Sequence, residues 1–307
     1  MGTPDIAVPT LHALREAGHE VCLVITQPDR PRGRGRKCVP CAVKCAAEEA
    51  GLPITQPERV GEEECCALLR RLQPDAFVVV AFGQILPPEV LAIPRLGSIN
   101  VHFSLLPKYR GAAPVERALM AGETKTGVTI MLMDEGMDTG PILAAREVEI
   151  GEEETAGELK ERLAELGAPL LVETLEAFAA GKITPQPQDH EAATYARRIK
   201  KEEAEIDWAR PAREIFNLVR AMNPAPGAYT WFRGKQLKIW RARVAQESAQ
   251  AEGIPGTVTE ASKCGILTKT GRGLLRLEEV QVESRGRVTG AEFVNGYRVA
   301  RGEVLGR

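Results

Sequence analysis

The sequence predicts an α/β protein, with a doubly wound, mostly parallel sheet in its first two thirds and a small β-barrel in its last third. Three observations carry this. Apolar runs such as Ala76-Phe77-Val78-Val79-Val80-Ala81 alternate with amphipathic helical segments up to about residue 180, the pattern of βαβ units whose strands are covered on both faces. From Tyr229 onward, short strands follow one another with Gly turns and no intervening helices, as in a small closed antiparallel sheet. Charge divides the same way. Trp208–Arg307 carries 17 Lys/Arg against 9 Asp/Glu, a net of +8, and 1–207 carries 23 against 33, a net of −10. A basic C-terminal part points to an anionic partner.

The elements follow from local signals. A helix is expected over Ile6–Ala17, stopped by Gly18. Val21–Thr26 reads as a short buried strand, Val43–Ala50 as a helix ending at Gly51, and Glu62–Leu72 as another helix. The apolar run from Ala76 is a strand, as is Ser98–His102. Pro114–Ala121 opens on Pro, which suits a helix start. Gly127–Met133 and Ile142–Ile150 are strands. Glu158–Ala180 sets Leu159, Leu163, Leu166, Leu170 and Leu171 on or near one helical stripe and ends at Gly181. A polar stretch with Pro185, Pro187 and Asp189 is a connector. After a helix over Ala212–Met222 come a hairpin, Tyr229–Phe232 and Gln236–Val244 about Arg233-Gly234-Lys235, and strands Thr257–Glu260, Gly265–Thr270 and Leu274–Val282. The expected domains are 1–182 and 208–307, joined by 183–207. The chain opens on the turn Gly2-Thr3-Pro4-Asp5, which leads straight into a helix. A doubly wound fold normally places a strand before such a turn, so the expectation is either a sequence truncated at its start or a sheet that lacks its first strand.

Several classes are excluded. No apolar run approaches the roughly 20 residues that span a bilayer, and Met1-Gly2-Thr3-Pro4-Asp5 has neither the basic start nor the apolar stretch of a signal peptide. Seven cysteines, an odd number, do not form a secreted disulfide framework, so reduced thiols and a cytoplasmic location are expected. Cys38, Cys41 and Cys45 are spaced as metal ligands, but no His or fourth Cys lies close by, and no metal is expected there. No G-x-G-x-x-G follows a strand. His12, His19 and His190 read as surface residues, and Trp231 and Trp240 as barrel packing.

Chemistry gathers at Ile99-Asn100-Val101-His102. On an extended strand, positions i and i+2 point to one side, so the Asn100 amide and the His102 imidazole should project together. Asp138, in Asp138-Thr139-Gly140, brings a carboxylate from another loop. A neutral donor, a titratable base and a carboxylate suit acyl transfer: Asn100 and His102 can donate to a carbonyl oxygen that gains negative charge, and Asp138 can orient the histidine and support proton removal. The trio alone does not name the acceptor. A second motif sets Arg30, Arg32, Arg34, Arg36 and Lys37 among Pro31, Gly33 and Gly35. Five cations cannot enter a core, and Gly and Pro make the segment a loop with little fixed structure of its own, suited to grip nucleic-acid phosphates.

Asn100-Val101-His102 followed by Ser104-Leu105-Leu106-Pro107, and Arg110-Gly111-Ala112-Ala113-Pro114, resembles the signature of the formyltetrahydrofolate-dependent transformylases. Further motifs fall in the family's order: Gly2-Thr3-Pro4-Asp5, Thr26-Gln27-Pro28-Asp29-Arg30-Pro31, Gly33-Arg34-Gly35-Arg36-Lys37, Gly127-Val128-Thr129-Ile130-Met131, and Lys201-Glu202-Glu203-Ala204 through Ile206-Asp207-Trp208. The resemblance covers essentially the whole chain. It implies a Rossmann-like first domain and an OB-like barrel, catalysis by Asn100, His102 and Asp138, and a folate pocket formed in part by Ser104, Leu105, Leu106 and Pro107. It implies 10-formyltetrahydrofolate as donor and the α-amino group of methionyl initiator tRNA as acceptor, with the arginine loop at the tRNA acceptor end, no metal, and a monomer. A transformylase with another acceptor would share the trio but need neither the arginine loop nor a basic barrel. A non-catalytic RNA-binding descendant would be expected to have lost one of the three residues.

Overall fold

A computed structural model describes residues 1–32, 37–248 and 252–306. The chain forms two compact units: 1–114 with 125–149 and 160–196, and 115–124 with 150–159 and 197–307. The stretch 183–207, read as a connector, is thus divided between them at residue 197.

In the first unit, helix α1 (Val8–Glu16) takes Pro9 in its first turn and is followed by Gly18 at φ +83°. Strand β1 (Val24–Ile25) is shorter than the expected Val21–Thr26. Arg30–Arg32 and Lys37–Val39 form β2 and β3, paired antiparallel with Arg30 opposite Val39. The expected loop therefore has a hairpin base; Arg34 and Arg36 lie outside the described residues. Helix α2 (Ala42–Glu49), strand β4 (Ile54–Thr55) and helix α3 (Glu63–Leu72) follow. Helix α3 buries Cys65, Cys66 and Leu69 and ends on Gln73 in the left-handed region. Strand β5 (Phe77–Val79), the short helix α4 (Pro88–Leu91) and strand β6 (Ser98–His102) lead to the site.

The parallel pattern holds at β1 with β4 and at β5 with β6. After helix α5 (Pro114–Ala121), β7 (Lys125–Leu132) and β8 (Ile142–Glu149) instead run antiparallel, in the order β5-β6-β7-β8. A buried apolar strand carries no signal of its direction, and the short link from β7 to β8 is compatible only with an antiparallel pair. Helix α6 (Ala156–Ala179) lies tight on this sheet: a Cβ at Gly167 would stand 3.1 Å from Val128 and 3.2 Å from Val101. Between β1 and β5 lie Met1 and Gly2. Gly2 N–H donates to Ile25 O (3.1 Å), and Val80 N–H donates to Met1 O (2.9 Å). A cavity of about 730 Å³ continues from them, lined by Leu11, Leu14, Val24, Phe77 and Leu175 among others.

In the second unit, helix α7 (Ala212–Ala221) precedes β9 (Ala228–Phe232), β10 (Lys235–Gln246), β11 (Val258–Ser262), β12 (Gly265–Lys269), β13 (Leu274–Val282), β14 (Val288–Thr289) and helix α8 (Gly290–Tyr297). The strands pair antiparallel in the order β11-β12-β13-β10-β9, with β14 on β13. The long strand β10 shifts register near Arg241 and Val244, the kind of bulge that curves a sheet toward closure. The C-terminal segment joins the two edges: Leu305 N–H donates to Gly256 O (2.9 Å) and Gly306 N–H to Trp231 O (2.8 Å). The hydrophobic core includes Leu237, Ile239, Ile266, Leu275, Leu277, Val280 and Phe293, all fully buried.

Candidate active site

Strand β6 delivers the first two residues of the trio. Its central place between β5 and β7 fixes the pleat, with Asn100 opposite Met131 and His102 opposite Thr129. Asn100 is half-buried, and among the described residues its amide has no hydrogen-bonded partner. His102 is 5% exposed. Its Nε2 lies 3.0 Å from the Tyr109 carbonyl. A carbonyl only accepts, so Nε2 carries the proton. This leaves Nδ1 facing Asp138, with Oδ2 at 3.6 Å.

Asp138 arrives on the loop between β7 and β8. Its backbone sits in the left-handed region (φ +54°), where non-glycine residues are uncommon. Its Oδ2 also accepts the Gly111 N–H at 2.7 Å. Gly111 adopts φ +119°, and a Cβ there would stand 2.8 Å from Ala196 O, so only glycine brings this N–H to the carboxylate without strain. The turn after β6 is braced from β7: Thr129 Oγ1 donates to Ser104 O (2.6 Å) and accepts from Leu106 N–H (3.1 Å). Ser104, with its hydroxyl donated to Lys108 O (2.7 Å), and Leu106 are both buried. They shape the turn, whereas Leu105 and Pro107 are only partly covered. Sequence reasoning missed Tyr109, Gly111 and Thr129. The Gly in Arg110-Gly111-Ala112 was the available signal for a close backbone approach. The large cavity beside β1 is lined by none of the trio.

The basic hairpin is anchored at its base. Lys44 Nζ on α2 binds Asp29 and donates to Gln56 Oε1 (2.8 Å), and Gln56 Nε2 donates to Asp29 Oδ1 (2.9 Å) and Gln27 O (2.7 Å). The bonds from Gln56 and Lys44 hold the Asp29 carboxyl below its ordinary range, and the Asp29 bond raises Lys44. Arg30 pairs with Glu58 at 3.2 Å, both largely exposed. Arg32 and Lys37 lie on the paired strands. All seven cysteines are free thiols. Among the described residues, no cluster of His, Cys, Asp and Glu could hold a metal, and no helix is long and apolar enough to cross a membrane.

The formyl transferase family matches residues 1–175, and the formyl transferase C-terminal domain matches residues 198–298. The methionyl-tRNA formyltransferase of Pelotomaculum thermopropionicum is 50% identical over 306 residues, spanning 100% of this chain and 97% of that protein. Those of Solibacter usitatus and Geobacter metallireducens are 51% and 49% identical with the same coverage. Among solved structures, the sugar 3N-formyl transferase WlaRD matches with a TM-score of 0.65 at 21% identity, covering 93% of this chain and 97% of its own. HypX from Aquifex aeolicus, in complex with tetrahydrofolic acid, matches at 0.60 and 20%, covering 85% of this chain and 45% of its own. These two structures share the fold, and the sequence relatives carry the kinship further: the chain belongs to the methionyl-tRNA formyltransferases, within the formyl transferase family.

Proposed function

We propose that Asn100, His102 and Asp138 carry the transfer of formyl from 10-formyltetrahydrofolate to the α-amino group of methionyl initiator tRNA, the reaction that prepares the initiator for translation. The carrying observation is an imidazole with one nitrogen on a carbonyl and the other 3.6 Å from a carboxylate that a backbone N–H fixes, with the Asn100 amide two residues upstream on the same strand.

The amine attacks the formyl carbon, and negative charge develops on the formyl oxygen. The Asn100 amide donates to that oxygen. The new C–N bond forms as the bond from the formyl carbon to N10 breaks, its electron pair staying with the leaving tetrahydrofolate. One proton leaves the amine and one reaches N10. With Nε2 donated to Tyr109 O, Nδ1 of His102 is the nitrogen able to take the proton, and Asp138 stabilises the imidazolium that results. Leu105 and Pro107 line the folate pocket on a turn shaped by Ser104 and Leu106.

Residues 1–182 serve as the catalytic domain and the basic barrel, 208–307, as the tRNA-binding domain, with Arg30, Arg32, Arg34, Arg36 and Lys37 at the acceptor end. The chain acts as a cytoplasmic monomer and needs no metal. The test is transfer of labelled formyl from 10-formyltetrahydrofolate to charged initiator tRNA, with an amino-sugar nucleotide as competing acceptor. Wild type should label the tRNA alone, and His102→Ala should not. Undiminished transfer by that variant would overturn the mechanism.

A further inference from the structure

Gln188 belongs to the polar stretch that the sequence presents as a solvated connector, yet it is 7% exposed. Its Nε2 donates to two main-chain carbonyls of the catalytic loop, Asp138 O at 2.9 Å and Gly140 O at 2.7 Å. Its Oε1 accepts from both Nε (3.1 Å) and Nη2 (2.6 Å) of Arg110. Arg110 is 2% exposed, and its Nη2 also lies 3.2 Å from Nδ1 of His190, which must be the acceptor because a guanidinium only donates. Among the described residues, no carboxylate pairs with this buried cation. Burying a guanidinium against neutral acceptors is expensive, so its retention needs a reason. Arg110 is itself fixed through its backbone, with its N–H on Thr194 O (2.9 Å) and its carbonyl taking Ala196 N–H (2.7 Å).

We infer that Gln188, oriented by Arg110, is a positioning residue that holds the Asp138 carboxylate in register with His102. The inference rests on the catalytic reading of Asp138. The left-handed backbone at Asp138 is not maintained by a local side-chain bond, because its Oδ2 is committed to Gly111 N–H. It is held from outside, at the side chain by Gly111 and at the main chain by Gln188. The far side of the loop is closed separately, by Asp134 Oδ1 accepting Gly136 N–H (3.0 Å) and Thr139 Oγ1 (2.6 Å). Gly140 abuts β7 so closely that a Cβ there would meet Leu132 O at 2.0 Å. Removing the Gln188 amide leaves two carbonyls without their donor at the turn that aims the carboxylate. A displacement of about 1 Å at a reacting group costs on the order of a hundredfold in rate.

The test is a double-mutant cycle in single-turnover formyl transfer, with Gln188→Leu, Asp138→Ala and the double variant, alongside KM for both substrates and thermal melting. Gln188→Leu should lower the transfer rate roughly 10- to 100-fold with each KM within about twofold of wild type. In the Asp138→Ala background it should cost nothing further, because a residue acting only through Asp138 has nothing left to position. Gln188→Glu keeps an acceptor for Arg110 but turns an oxygen toward the two carbonyls. It should show the same loss and the same lack of additivity, and it replaces Gln188→Leu if that variant fails to fold. Full activity of both variants, or losses that add to that of Asp138→Ala, would overturn the inference. Full activity of Asp138→Ala alone would overturn the catalytic reading of Asp138 instead, so the two failures are distinguishable.

Discussion

His102 is 5% exposed and lies between a carbonyl and a carboxylate, whereas Arg30 on the hairpin leaves 66% of its side chain in water and pairs with a Glu58 that is 71% exposed. Both belong to the first unit, but they follow opposite physical rules. His102 is dry, and it and Asp138 are each held by a bond to a main-chain atom, so these interactions are strong and insensitive to salt. Arg30 is wet, and the base of the hairpin, at Asp29, Lys44 and Gln56, is tied down. Bond-making chemistry needs fixed geometry, while phosphate recognition needs reach and charge.

The largest effect should come from the dry end. Asp138→Ala or His102→Ala should lower the formyl-transfer rate about a thousandfold or more, the scale of losing a general base together with its support. Melting temperature should change little, and neither more tRNA nor lower salt should restore the rate. Recovery at high tRNA concentration would show that these residues bind rather than react, and the contrast would collapse. Asn100→Ala should cost about a hundredfold or more, as for loss of one oxyanion donor.

The wet end should respond in KM. Arg34→Ala should raise KM for the charged tRNA about tenfold, the lower range for a charge-assisted hydrogen bond, and leave the KM for the folate donor unchanged. The salt dependence of tRNA binding should flatten by about one unit of slope. An unchanged response to tRNA concentration would remove the hairpin from the recognition surface.

The same contrast explains what could be read from sequence. The period of two along Ile99–His102 suffices to expect Asn100 and His102 on one side, and Ser98–His102 is a regular strand. Helix bounds such as Pro114–Ala121, and strand Leu274–Val282, needed only local pattern. The direction of β7 did not, because an apolar run is the same read either way. The hairpin at Arg30–Val39 was hidden by Pro31, Gly33 and Gly35, and its base depends on Lys44 and Gln56, which are distant in sequence. Gln188 was illegible for the same reason: a polar residue between Pro187 and Asp189 signals exposure unless its partners, Arg110 and the Asp138 carbonyl, are known. Helix α8 was passed over because Gly290 and Gly296 weaken its pattern. Its N-terminal signal was nonetheless present in Thr289 and Glu292, whose side chains cap each other's backbone N–H groups.

The smallest effect concerns the hairpin's anchor. Gln56→Ala removes the donor that joins Asp29 to the Gln27 carbonyl. Loosening the base of the hairpin should raise KM for tRNA by roughly two- to fivefold, the scale of one ordinary hydrogen bond, with transfer at saturation unchanged. Its pH behaviour has a definite sign. The Asp29 carboxyl is held below its ordinary value, first by Gln56 and then by Lys44. Its contribution is therefore complete above the unfolded carboxylate range and disappears only as pH falls through the lowered value. Lys44 is held above its ordinary value by Asp29, so its contribution is complete below the unfolded lysine range and disappears as pH rises through the raised one. Between those limits neither group changes charge. The ratio of KM between Gln56→Ala and wild type should then be the same at pH 6 and pH 8.5. A ratio that grows across that interval would mean that another titrating group, rather than the Asp29–Lys44 pair, anchors the hairpin.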